Sequence, residues 1–136
     1  MRKRAGMHLT ADLMRDYSLD EETSSGLTLT DNWSFVSFVG KKVSGRTTIF
    51  LRLEYVGSDK TSTSAGNITD EDVGTLPVGW RPSETYTGVF DKSGTAKGSV
   101  TILSDGSITL KTLSATAVLT SGNNVTMFLG WISQND

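Results

Sequence analysis

Residues 74–90, GTLPVGWRPSETYTGVF, limit the folds open to this chain more than any other stretch. Pro77 and Pro82 are the only prolines of the sequence, and Gly79 and Trp80 lie between them. Each proline fixes its own φ and biases the residue before it, Leu76 or Arg81, toward extended geometry. Gly79 supplies a position where positive φ costs little. The stretch is therefore a stiff, non-helical turn able to set the angle between two strands. Short β-like runs flank it, so it reads as the corner of an all-β domain.

Alternation of apolar and polar residues supports that reading from Leu27 onward. Residues 33–39 (WSFVSFV) read as a strand, and residues 40–45 as a turn or bulged loop. Residues 47–56 give the clearest strand: Ile49, Leu51, Leu53 and Tyr55 fall on one face, with Arg52 and Glu54 on the other. Residues 57–72 are polar and small, which predicts an exposed loop, and a strand follows over 85–90. Residues 99–112 (SVTILSDGSITLKT) predict a hairpin. A two-residue Asp105-Gly106 loop would split its apolar residues between two faces. A three-residue Ser104-Asp105-Gly106 loop sets Ile102 opposite Ile108, Val100 opposite Leu110 and Thr101 opposite Thr109, with Gly106 at the left-handed bulge position. Residues 115–119 and 125–132 predict two further strands, and both faces of the last are apolar or small, which fits a central strand or one packed on a partner chain. Seven or eight strands without an internal repeat predict an antiparallel β-sandwich of jelly-roll or knob-like type over residues 27–136.

Residues 1–26 differ in pattern and read as an N-terminal docking arm. Leu9, Leu13, Met14 and Tyr17 recur at helical spacing, and Ser18-Leu19-Asp20-Glu21 has capping-box spacing, which predicts a helical turn near 19–23. A helix this short is marginal alone, so the arm is expected to order by docking. Its contact residues are Arg2, Lys3, Arg4, Leu9, Leu13, Met14 and Tyr17. The three adjacent cations suit an acidic protein surface, and no interleaved aromatics point to nucleic acid.

Composition removes several chemistries. With no cysteine there is no disulfide framework, thiolate metal site or cysteine nucleophile. A net charge of −2 gives no overall electrostatic footprint for nucleic acid. No apolar run is long enough for a membrane span, and Asp12, Arg15, Asp16 and Asp20 interrupt any signal-peptide core, so neither a membrane nor export by that route is expected. Residues 40–47 (GKKVSGRT) have the outline of a phosphate loop, but Arg46 stands where lysine belongs and a strand follows where a helix is required. His8, the single histidine, has no second ligand or catalytic partner in view. Asp70-Glu71-Asp72 are hard-oxygen groups that calcium would accept, yet EF-hand spacing is absent and a solvated loop is the plainer reading. Three Asn-x-Ser/Thr sites, at Asn32, Asn67 and Asn124, read as chance matches without a secretory signal. No nucleophile elbow or distinctive carboxylate pair is present, so no enzyme activity and no cofactor are expected. Trp33, Trp80 and Trp131, with Tyr55 and Tyr86, are candidates either for core and trimer packing or for a saccharide-stacking platform.

The run Thr75-Leu76-Pro77-Val78-Gly79-Trp80-Arg81-Pro82-Ser83, then Gly98-Ser99-Val100-Thr101-Ile102, Ser104-Asp105-Gly106-Ser107-Ile108 and Phe128-Leu129-Gly130-Trp131-Ile132, resembles the C-terminal knobs of tailed-phage tail-fibre and baseplate proteins. Trp80 stands where that family usually has tyrosine. The resemblance spans residues 30–132, with specific motifs only from 74. It implies a β-sandwich that forms a homotrimer in the virion, structural or adhesive rather than catalytic. Fibre knobs end a long shaft, whereas only a short arm precedes the sandwich here. That difference leads to the expectation of a capsid decoration protein docked on other virion proteins through residues 1–26. The alternative is a tail or baseplate knob that binds a host cell-surface saccharide.

Overall fold

The computed structural model describes residues 21–132, all strands and connections with no helix among them. His8 and the arm residues Arg2, Lys3, Arg4, Leu9, Leu13, Met14 and Tyr17 lie outside the described residues. The strands are β1 (Glu21–Thr23), β2 (Thr28–Leu29), β3 (Trp33–Val43), β4 (Arg46–Tyr55), β5 (Lys60–Thr61), β6 (Asn67–Thr75), β7 (Tyr86–Lys92), β8 (Ala96–Ile102), β9 (Ser107–Thr112), β10 (Val118–Leu119) and β11 (Asn124–Ile132). Nine of them form one sheet in the order β1-β3-β4-β11-β7-β8-β9-β6-β2, and β5 and β10 pair separately. Every pairing is antiparallel.

The sheet is strongly curled, and its connectivity shows why. β1 and β2 are its two outermost strands, yet only residues 24–27 separate them in sequence. A chain covers at most about 3.3–3.6 Å per residue, so that link brings the two edges within roughly 17 Å. Curling turns the inward faces toward one another in a sandwich-like arrangement. Ile49, Leu51, Leu53 and Tyr55 of β4 meet Val125, Met127 and Leu129 of β11 and Val100, Ile102, Ile108 and Leu110 of the β8–β9 hairpin in a single buried core. Each fully buried side chain of this size contributes about 1.5–3 kcal/mol.

The proline turn closes the seam between the edges. Trp80 N–H donates to Pro77 O at 3.1 Å with Gly79 at φ 91°, as a type II turn requires. Leu76 N–H donates to Gly106 O at 2.9 Å, and Arg81 Nε donates to Leu76 O at 2.9 Å, so the turn is tied to the β8–β9 loop. From there Trp80 reaches β3. A Cβ on Gly40 would come within 2.9 Å of its ring, so only glycine admits this approach. The Lys42 ammonium sits 4.9 Å from the ring centroid. The corner expected from sequence is thus also a latch across the curl.

Register in the β8–β9 hairpin follows the hydrophobic pattern: Val100 faces Leu110, Thr101 faces Thr109 and Ile102 faces Ile108, with Gly106 at φ 91°. Elsewhere the structure departs from expectation. β3 continues through Val43, and its turn is only Ser44-Gly45, both at positive φ as a type I′ hairpin demands. Lys41 and Lys42 stay in the strand because they pair with Glu22 and Glu21 of β1, at 3.2 and 3.8 Å. Glu21–Thr23 is accordingly an edge strand, where capping-box spacing predicts a helical turn. The expected loop over 57–72 contains β5 and most of β6, because Asp70 and Glu71 find cationic partners across the fold. Of residues 115–119, only Val118 and Leu119 are strand.

Candidate functional site

Three regions were chemically open in the sequence, and the structure separates them. The first is the acidic run. Asp70 pairs with Lys111 at 2.7 Å, and Asp72 accepts from Thr109. Glu71 is buried at 6% exposure, with Oε2 accepting from Trp33 Nε1 at 3.1 Å and Asn32 Nδ2 at 3.2 Å and Oε1 facing Lys60 at 3.3 Å. The solvated-loop reading fails here because the strand delivers Glu71 to buried donors that require an acceptor. It forms the floor of an open polar cleft of about 430 Å³ with Thr30, Asp31, Asn32 and Asp72. Among the described residues no three or more Asp, Glu, His or Cys side chains come together in a way that could hold a metal ion. Burial pushes the neighbouring Tyr55 phenol above its usual range, helped by the charges of Glu71 and Asp59, and its hydroxyl donates to Ser58 O at 2.6 Å.

The second region is the glycine- and lysine-rich segment at 40–47. It is the β3–β4 hairpin, with no helix to offer amides to a phosphate.

The third is the set of aromatics, which the fold distributes. Trp33 stacks edge-on against Tyr55 at 5.1 Å inside the core, and Trp80 is 8% exposed in its latch. Both therefore pack within this chain. Trp131 and Tyr86 come together instead, with ring centroids 5.2 Å apart and planes at 61°. They project inward from the ends of β11 and β7, where the core opens, and both remain half-buried. Gly88 makes room for the phenol, since a Cβ there would lie 2.9 Å from Tyr86 Cε2. With Pro82, Ser83, Glu84, Thr85 and Ile132 the two rings line a groove of about 200 Å³. The Trp131 indole N–H is screened from solvent and has no acceptor among the described residues. Glu84, Ser83 and Ile132 were not foreseen as site residues. Their only signal was position, in the tail of the proline turn and at the end of the last strand.

A different feature occupies the outer face of the sheet. Val39 of β3 faces Phe50 of β4, and Phe50 faces Phe128 of β11. Val89 of β7 continues the row, one step beyond the Met127–Phe90 pair. Phe128 is 71% exposed and Val89 63%. Val43 and Ile132, aligned through Arg46, add apolar surface on the same face.

No family model matches the chain, and no curated protein matches it in sequence. Its architecture, an all-β curled antiparallel sheet, is similar to solved structures, and one of these names a class of protein. The similar structure is the receptor binding protein (gp15) of Listeria phage PSA, at TM-score 0.60 and 12% identity over 96% of this chain and 74% of that one. The likeness is one of fold: a phage receptor binding protein uses the same architecture.

Proposed function

We propose that this chain is a non-enzymatic protein of a bacteriophage virion that binds a receptor saccharide on the host cell surface. The single observation that carries the proposal is the fold likeness to a phage receptor binding protein over 96% of the chain. Between the two roles drawn from sequence, that likeness supports receptor binding over capsid decoration. The docking arm of residues 1–26, whose Glu21–Thr23 is an edge strand of the sheet, attaches the protein to other virion components in this reading, through Arg2, Lys3, Arg4, Leu9, Leu13, Met14 and Tyr17. The chain assembles as a homotrimer, and the apolar row Val39-Phe50-Phe128-Val89 supports this, since exposed apolar patches of this kind mark protein–protein contacts.

Sedimentation of the purified full-length chain with host cell walls and, separately, with empty capsids of the encoding phage tests the proposal. Saturable binding to walls is expected. Binding to capsids without binding to walls would return the protein to the decoration role.

A further inference from the structure

We infer that the Tyr86–Trp131 groove is the receptor subsite and that it takes one uncharged pyranose, not the phosphate-bearing backbone of an anionic wall polymer. The inference rests on the receptor-binding reading above and adds the site and the ligand class to it.

Size comes first. Sites for drug-sized ligands measure about 300–1,000 Å³. At about 200 Å³ this groove suits a single sugar ring of a longer glycan whose remainder stays in solvent. Shape comes second. Two aromatic rings at 61° form a corner, and the C–H face of a pyranose packs against one wall while its edge meets the other. Polar groups come third. The Glu84 carboxylate and the Ser83 and Thr85 hydroxyls stand exposed along the rim, where they accept from or donate to sugar hydroxyls. Trp131 adds an indole N–H that finds no acceptor among the described residues.

Charge decides between sugar and phosphate. Among the described residues no lysine, arginine or histidine lines the groove, and Glu84 is the one carboxylate that does. Arg46 faces Ile132 across the β4–β11 register but is not among the lining residues. A phosphate would meet a carboxylate with no cation among the described lining residues to offset it, whereas a sugar hydroxyl meets an acceptor. One ring with few contacts binds weakly, in about the millimolar range. Several copies on one particle raise the avidity for a repeating glycan.

Saturation-transfer NMR on the full-length chain tests this with N-acetylglucosamine, glucose, galactose and rhamnose as uncharged probes and glycerol phosphate as the anionic one. At least one pyranose is expected to give saturable transfer, and glycerol phosphate none. Glu84→Ala, at an exposed position, is expected to weaken that binding by about tenfold by removing a charged acceptor. Tyr86→Ala, checked for folding by its melting curve, should abolish it. Sedimentation with host cell walls is run on the same variants. Wild-type binding that both variants retain would exclude the groove while leaving the receptor reading intact. Wild type that binds no wall would overturn both. Transfer to glycerol phosphate alone, or to no probe, would overturn the ligand class.

Discussion

Three tryptophans that look alike in sequence have three fates, and each follows from what their neighbours offer. Trp33 is buried because Glu71 accepts its indole proton, Trp80 because Gly40 leaves space for its ring, and Trp131 reaches the end of the core without an acceptor among the described residues. The burial of Trp80 makes it a stability residue, so Trp80→Ala is expected to cost about 3–5 kcal/mol in chemical denaturation. Tyr55 gives a test through pH. Its folded-state pKa is raised, so the folded protein holds the phenol proton more tightly than the unfolded chain. That contribution is complete below the unfolded value of about 10 and is lost as pH rises from there through the folded value. Tyr55→Phe is therefore expected to be less stable than wild type at pH 7, by about 1 kcal/mol for the hydrogen bond to Ser58. Urea titrations at rising pH should show that gap narrowing above about pH 10, where the reference phenol begins to ionise. Alternation in the sequence told which residues of β4 point inward. It could not tell that Glu71, in the middle of an acidic run, would be drawn inside, because the donors that stabilise it come from residues 32, 33 and 60.

Elements were legible where the information was local. The β8–β9 hairpin has its register set by four apolar residues and its loop by one glycine, all within fourteen residues. Gly106→Ala tests that loop: φ 91° alone costs an L-residue about 1–2 kcal/mol. The added Cβ would also meet Arg81 Nε at 2.5 Å and Leu76 O at 2.9 Å, so the measured loss should exceed the conformational part. Asp105 in the same loop accepts from Ser107 N–H at 2.9 Å, and that bond holds its carboxyl below the usual range. Its contribution to stability is present above the unfolded carboxylate pKa and disappears as pH falls through the lowered folded one. Asp105→Asn should remove this part of the acid sensitivity. β6 was hidden for the opposite reason: its polar residues are matched by Lys60 and Lys111, and nothing within 67–75 announces either partner. β1 was misread because a capping-box spacing is compatible with an extended edge once Lys41 and Lys42 lie opposite.

For the whole molecule, alternating strands and abundant turns identified an antiparallel β domain, but closure of the sheet was not readable. Closure depends on β1 and β2 pairing at opposite edges, a long-range fact that two very short strands do not encode locally. The groove escaped notice likewise, because Tyr86 and Trp131 are far apart in sequence and meet only when β7 pairs with β11. The two faces of the curled sheet then suggest two tasks, a ligand groove at the mouth of the inside and assembly on the outside. Under the proposed trimer, Phe128→Ser is expected to shift sedimentation toward monomer while changing monomer stability by no more than about 0.5 kcal/mol, as for exposed sites generally. The central claim, that the chain recognises the host surface, is tested most directly by adsorption competition. Host cells preincubated with the purified protein should lose adsorption of the encoding phage in a saturable way, and Tyr86→Ala protein should not protect them. Undiminished adsorption at saturating wild-type protein would contradict the account.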